Sequence, residues 1–65
     1  MRIFLNGDAR DIEAVTLAGA LSALGFCDAV VATAVNGRFV AKAARQTATL
    51  EEGDAIEVVA PLQGG

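Results

Sequence analysis

Residues 55–65 read Ala55-Ile-Glu-Val-Val-Ala-Pro-Leu-Gln-Gly-Gly65, a strand-like segment followed by a short tail. Ile56 and Val58 alternate with Glu57 and Val59. An apolar residue at every second position is typical of a β-strand with one buried face, so Ile56 and Val58 are predicted to face a core. The remainder of the chain must then supply the sheet and helix against which this last strand packs.

The segment after this strand has a different character. Pro61 has no backbone N–H to donate to a central sheet ladder. Gly64 and Gly65 have no Cβ, so another protein's backbone can approach them closely. We therefore predict a domain over residues 1–60 and a flexible tail over residues 61–65.

Two Asn-Gly dipeptides predict tight turns upstream, because type I′ hairpins need positive φ at both central residues. Asn6-Gly7 joins a first strand within residues 1–6 to a returning strand at about 9–13. Asn36-Gly37 joins a second apolar strand over residues 30–35 to a short strand that begins at Arg38. Both hairpins lie before the last strand, so they supply its sheet.

One helix is predicted between the hairpins. Thr16 is placed as its N-cap and Gly25 as its C-terminal glycine. Gly19 inside it costs up to ~1 kcal/mol relative to Ala, which we interpret as a close helix–sheet contact. Leucines recur at the spacing of one helix face: Leu17, Leu21 and Leu24.

Composition narrows the class of protein. The chain has 65 residues, a net charge of −3, no histidine and a single cysteine. One small domain is expected, with no closed catalytic cleft, no bound cofactor and no metal site. An acidic chain is a poor partner for nucleic acid, and no apolar run approaches the roughly 20 residues that span a bilayer. We expect a cytoplasmic protein that is not an enzyme.

Two further features are interpreted as structural. Cys27 has no flanking basic residue to lower its pKa, so we predict a small, half-buried apolar role for it rather than a reactive thiol. Arg38, Lys42 and Arg45 form a basic cluster in an otherwise acidic chain. A solvated face is the simpler interpretation of this cluster, and contact with an acidic partner is the alternative.

The order of elements predicts an α+β domain, with a mixed sheet of four to five strands and one main helix packed on one face. The segment Val31-Ala-Thr-Ala-Val-Asn-Gly37 and the tail give a more specific indication. They resemble the ubiquitin-like sulfur carriers, most closely the ThiS-type carriers of thiamine thiazole biosynthesis. Their tail commonly reads Gly-Asp-x-Ile-Glu-Val-Val-x-Pro-x-Gln-Gly-Gly, and residues 53–65 fit it. The resemblance implies the β-grasp fold, in which the last strand lies beside the first.

The resemblance also implies a function. An adenylating enzyme related to ubiquitin-activating enzymes would activate the carboxylate of Gly65, using ATP and magnesium. A cysteine-desulfurase-type donor would then provide sulfur, and the resulting thiocarboxylate would pass it to thiazole synthase. In this scheme Gly65 is the reactive position and Gly64 gives the tail clearance. The alternatives are a small subunit of molybdopterin synthase, a ubiquitin-like protein modifier, and a plain binding module whose glycines are incidental.

Strand alternation predicts a surface for partners. If Ile3, Leu5, Ile56 and Val58 face the core, the intervening side chains face away from the helix. We expect one flat apolar patch on that face, leading into the tail, and a contiguous exposed patch usually marks an interface. Its predicted members are Phe4, Ala32, Ala34 and Val59, continued by Pro61, Leu62 and Gln63.

Overall fold

The computed structural model describes residues 1–27 and 29–60, which form a five-stranded mixed sheet and one α-helix. The order across the sheet is β2-β1-β5-β3-β4, with β1 and β5 parallel and the other neighbours antiparallel. This confirms the predicted α+β class, the β-grasp arrangement and the place of the last strand beside the first. The elements are β1 (Arg2–Leu5), β2 (Asp8–Asp11), α1 (Leu17–Ala23), β3 (Ala32–Val35), β4 (Arg38–Val40), a 3-10 turn (Lys42–Ala44) and β5 (Ala55–Val59).

Both Asn-Gly dipeptides form the predicted hairpin turns. Asn6 and Asn36 have φ of 49° and 52°, and the glycine after each is also at positive φ. Asparagine and glycine are the residues that reach this region at least cost. The strand β3 begins at Ala32, two residues later than expected, because β5 ends at Val59, which pairs with Ala32.

The helix has the predicted caps. The Thr16 hydroxyl accepts a hydrogen bond of 3.1 Å from the Gly19 N–H, and Gly25 has a φ of 95°. Our explanation of Gly19 as a helix–sheet contact is wrong. A Cβ at this position would lie 3.1 Å from the Ala14 Cβ and 3.3 Å from the Thr16 hydroxyl, so the close approach is to the segment that enters the helix.

One face of the sheet and one side of α1 share a single core. The sheet contributes the inward positions predicted from alternation, and the helix contributes Leu17, Ala20 and Leu21. Ile12 and Leu50 close the core from the connecting segments. Ile12 was not among the core positions predicted from the sequence. The buried sheet residues are Ile3, Leu5, Ile56 and Val58.

Arg45 does not belong to a solvated basic cluster, which corrects the expectation for that segment. Its side chain is only 9% exposed. The Arg45 Nε donates to the Thr33 hydroxyl at 3.0 Å, and Nη2 donates to the Val31 carbonyl at 2.7 Å. The Arg45 carbonyl accepts from the Ala18 N–H at 3.0 Å. Arg45 therefore ties the irregular connection before β5 to both β3 and the start of α1.

Within residues 1–27 and 29–60, no helix has the length and apolar character needed to cross a membrane. The same residues contain no group of three or more His, Cys, Asp or Glu side chains arranged to hold a metal ion.

Candidate functional site

The candidate site is built around β5, which lies in the middle of the sheet between β1 and β3. Ile56 and Val58 point into the core, while Val59 is 58% exposed on the other face. The predicted site residues that follow β5 lie outside the described part of the chain: Pro61, Leu62, Gln63, Gly64 and Gly65.

A shallow apolar groove lies next to the end of β5, on the sheet face away from the helix. We call it the outer groove. It has a volume of about 210 Å³, and the side chains on its surface are Ala32, Ala34, Phe39, Glu57 and Val59.

Strand register brings these side chains together. Ala34 pairs with Phe39 on one side and with Glu57 on the other, and Ala32 pairs with Val59. Residues directly opposite each other in neighbouring strands point to the same face. The two alanines therefore form a low floor, bordered by the Phe39 ring and by Val59. Glu57 gives this floor an acidic edge.

Phe4 is exposed as predicted, at 39%, but its expected place beside Val59 is wrong. Phe4 pairs with Ala55, which precedes Val59 by four residues, or about 13 Å along a strand. Glu57 lies between Ala55 and Val59 on the same face. The predicted patch of four residues is thus divided, with Phe4 on one side of Glu57 and the groove on the other.

Phe39 takes the place that we had assigned to Phe4. It is 73% exposed and is the large aromatic side chain of the outer groove. Sequence reasoning missed it, although a signal was present. A two-residue turn at Asn36-Gly37 pairs Val35 with Arg38 and therefore Ala34 with Phe39, so Phe39 had to share the face of Ala34.

Cys27 is exposed rather than half-buried, which corrects that prediction. It lines a different cleft, of about 410 Å³, between the end of α1 and the segment after β4. Lys42 and Gln46 also line this cleft, and it shares no residue with the outer groove.

The charged residues at the β1–β2 edge form an ion pair away from the groove. Arg2 Nε and Asp11 Oδ1 are 3.1 Å apart, and both side chains are largely exposed. The hydrogen bond and the positive charge of the Arg2 guanidinium lower the pKa of the Asp11 carboxyl. A charged edge strand of this kind opposes pairing with other sheets.

Comparison with known proteins gives the family. The model of the ThiS family matches residues 3–65. This chain belongs to the ThiS family. Its members are sulfur carriers of thiamine biosynthesis and not catalysts.

Solved structures agree with this assignment. One is the crystal structure of a ThiS thiamine biosynthesis protein from Geobacter metallireducens, whose sequence is 28% identical to this chain. The match covers the full length of both chains, with a TM-score of 0.86. A solution structure of a thiamine biosynthesis protein from the same organism is also 28% identical, with a TM-score of 0.77. It matches all of this chain and 88% of that one.

One relative is a much longer protein, and only a part of it matches this chain. It is a thiazole synthase from Magnetococcus marinus, 41% identical over 66 residues. The match covers all of this chain but only 20% of the relative, so the chain spans about a fifth of that protein's length.

Proposed function

We propose that this chain carries sulfur as a thiocarboxylate on Gly65 and delivers it for thiazole formation in thiamine biosynthesis. The observation that carries this proposal is that the ThiS family match continues through Gly64 and Gly65. In the sequence, only Ala60 separates residues 61–65 from the end of β5, and β5 lies in the centre of the sheet. In this proposal, partners bind the folded domain, and the residues after it reach the partner's catalytic site.

The chemistry requires activation, because a carboxylate is a poor electrophile. The Gly65 carboxylate attacks the α-phosphorus of ATP in the adenylating enzyme and displaces pyrophosphate, with magnesium held by that enzyme. The terminal sulfur of a persulfide attacks the resulting acyl adenylate and displaces AMP. A second thiol then cleaves the acyl disulfide, is itself oxidised to a disulfide, and leaves the thiocarboxylate on Gly65. A cysteine-desulfurase-type donor supplies the persulfide sulfur.

No step in this sequence uses a general base from the carrier. The chain has no histidine, and Cys27 lies on a different cleft from the outer groove. The requirements placed on the carrier are an accessible Gly65, a residue at 64 that passes a narrow channel, and a surface that partners recognise. Glycine satisfies the second requirement because it has no Cβ.

We assign partner recognition to the outer groove. Alanines at its floor permit close approach, while the exposed Phe39 ring and Val59 supply apolar area. Aromatic anchors often dominate interface energies. Phe4 extends this surface if a partner reaches across Glu57, and we propose Pro61, Leu62 and Gln63 as further partner contacts. The thiazole synthase relative, which contains a region matching this chain, supports thiazole synthase as one partner; the adenylating enzyme is the other.

The test is pyrophosphate exchange into ATP by the adenylating enzyme. Exchange should depend on this chain and should disappear when Gly65 is deleted. Gly64→Val should unfold at nearly the wild-type temperature, yet it should not support exchange, because the added side chain blocks the channel. Exchange that continues without Gly65 would contradict the proposal. Gly65 joined by isopeptide bonds to lysines of other proteins, with no sulfur transfer, would identify a protein modifier instead.

A further inference from the structure

Asn6 holds the end of β5 through its side chain. Its Nδ2 donates to the Val58 carbonyl at 3.1 Å, and its Oδ1 accepts from the Val58 N–H at 3.0 Å. The two residues are 52 positions apart in sequence, and both hydrogen bonds are partly buried. A single amide group therefore satisfies both backbone polar groups of Val58.

This contact replaces a part of the sheet that is missing. The strand β1 ends at Leu5, opposite Ile56. At Asn6 the backbone N–H still donates to the Ile56 carbonyl at 2.9 Å, but the positive φ then turns the chain into the hairpin. Val58 consequently has no strand backbone beside it on the β1 side. The Asn6 amide continues the β1–β5 ladder by one residue.

Asn36 makes a related contact at the opposite end of β5. Its Oδ1 accepts from the Ala55 N–H at 3.0 Å, and its Nδ2 donates to Asp54 Oδ1 at 2.9 Å. Each hairpin asparagine thus fixes one end of the last strand. Only the Asn6 contact lies at the end from which residues 61–65 continue.

We propose that Asn6 is a positioning residue that fixes the point at which the tail leaves the sheet. This inference rests on the proposed function, in which Gly65 must be delivered into a partner's catalytic site. Val58 is three residues before Pro61 and next to Val59 of the outer groove. Without the amide, the Val58 backbone loses both partners on the β1 side, and β5 opens from its end. The end of β5, from which the chain continues to Gly65, then loses its fixed position in the sheet.

The first experiment measures amide hydrogen exchange in Asn6→Gly, with Asn36→Gly as the matched control. Glycine keeps the positive φ of either turn and removes only the side-chain amide. In Asn6→Gly, protection of the Val58 N–H should fall roughly tenfold or more beyond any fall at Ile3, because a partly buried donor loses its acceptor. In Asn36→Gly, protection of Val58 and Ile3 should change together.

A second variant covers the case in which Asn6→Gly does not fold. Asn6→Asp tolerates the left-handed conformation and keeps an acceptor for the Val58 N–H, but the carboxylate cannot donate to the Val58 carbonyl. In Asn6→Asp, the Val58 N–H should lose less protection than it does in Asn6→Gly. If Asn6→Gly is unfolded, the comparison is made within Asn6→Asp, where Val58 should lose more protection than Ile3. Equal changes at Val58 and Ile3 in every Asn6 variant would overturn the proposal.

The second experiment measures adenylation, with the carrier as the varied substrate. The kcat/KM of Asn6→Gly should fall roughly fivefold or more, since small misplacements of a reacting group are costly. Asn36→Gly should stay within about twofold of wild type, as expected of a change remote from the reacting end. Equal decreases in kcat/KM in the two variants would mean that Asn6 only stabilises the fold and does not position the tail. If the wild-type chain is not adenylated at all, the proposed function fails. The amide hydrogen exchange measurement then decides by itself whether Asn6 fixes the end of β5.

Discussion

Replacing Phe39 by alanine should weaken partner binding strongly and folding only slightly. The ring is 73% exposed, so most of its surface is available to a partner. An aromatic side chain buries about 150–250 Å², and three quarters of about 200 Å² at about 25 cal/mol per Å² gives an upper limit of about 4 kcal/mol. Because binding costs reduce this value, we expect about 1–3 kcal/mol, or a roughly 5- to 150-fold rise in Kd.

Calorimetric titration with the adenylating enzyme measures this effect, and thermal unfolding measures the accompanying change in stability. Phe4→Ala gives a graded comparison, because a ring that is 39% exposed offers about half the area. Val15→Ala is the control, since Val15 is 64% exposed but lies outside the sheet, before α1. Phe39 should show the largest loss of affinity, Phe4 a smaller one, and Val15 none. A larger effect at Phe4, or unchanged affinity in Phe39→Ala, would refute our assignment of the outer groove.

Three other substitutions test separate parts of the structure. Cys27→Ser should still accept sulfur at full rate; a folded variant that fails would make the thiol a participant. Arg45→Met should lower the free energy of unfolding by about 1–3 kcal/mol, because two hydrogen bonds from a buried guanidinium are lost; an unchanged unfolding temperature would contradict this. Arg2→Gln should raise the pKa of the Asp11 carboxyl towards its ordinary value, as followed by NMR titration; an unchanged pKa would remove Arg2 as the cause.

The sign of the Asp11 effect on stability follows from the direction of its pKa shift. A carboxyl whose pKa is lowered by folding stabilises the folded state above the ordinary pKa of aspartate. That stabilisation is lost as the pH falls through the lowered pKa, and Arg2→Gln should remove this part of the acid sensitivity. The effect should be small, because both side chains are exposed to water.

Local signals were sufficient for most of the fold. The Asn-Gly turns, the N-cap at Thr16 and the alternation of Ile56 and Val58 each depend on residues that are close in sequence. They gave the elements and the inward faces correctly. The family resemblance then supplied the β-grasp arrangement, including the place of the last strand beside the first.

The errors concern contacts between distant segments. The alternation of inward and outward residues tells which face of the sheet Phe4 occupies. It does not tell which residue of β5 lies opposite Phe4, so the distance between Phe4 and Val59 could not be predicted from it. Arg45 looked solvated because its acceptors, Thr33 and Val31, come from another strand segment. The role of Asn6 was hidden for the same reason, since its partner Val58 is 52 residues away.

The central claim is that Gly65 carries sulfur, and intact-protein mass spectrometry tests it most directly. The chain is incubated with the adenylating enzyme, ATP, magnesium, a cysteine desulfurase, cysteine and a thiol reductant. We predict a product heavier by the mass difference between sulfur and oxygen, with the change located at Gly65 by fragmentation, and no such product from Gly64→Val. An unchanged mass under conditions in which an established ThiS carrier is converted, or sulfur found on Cys27 instead of Gly65, would contradict the claim.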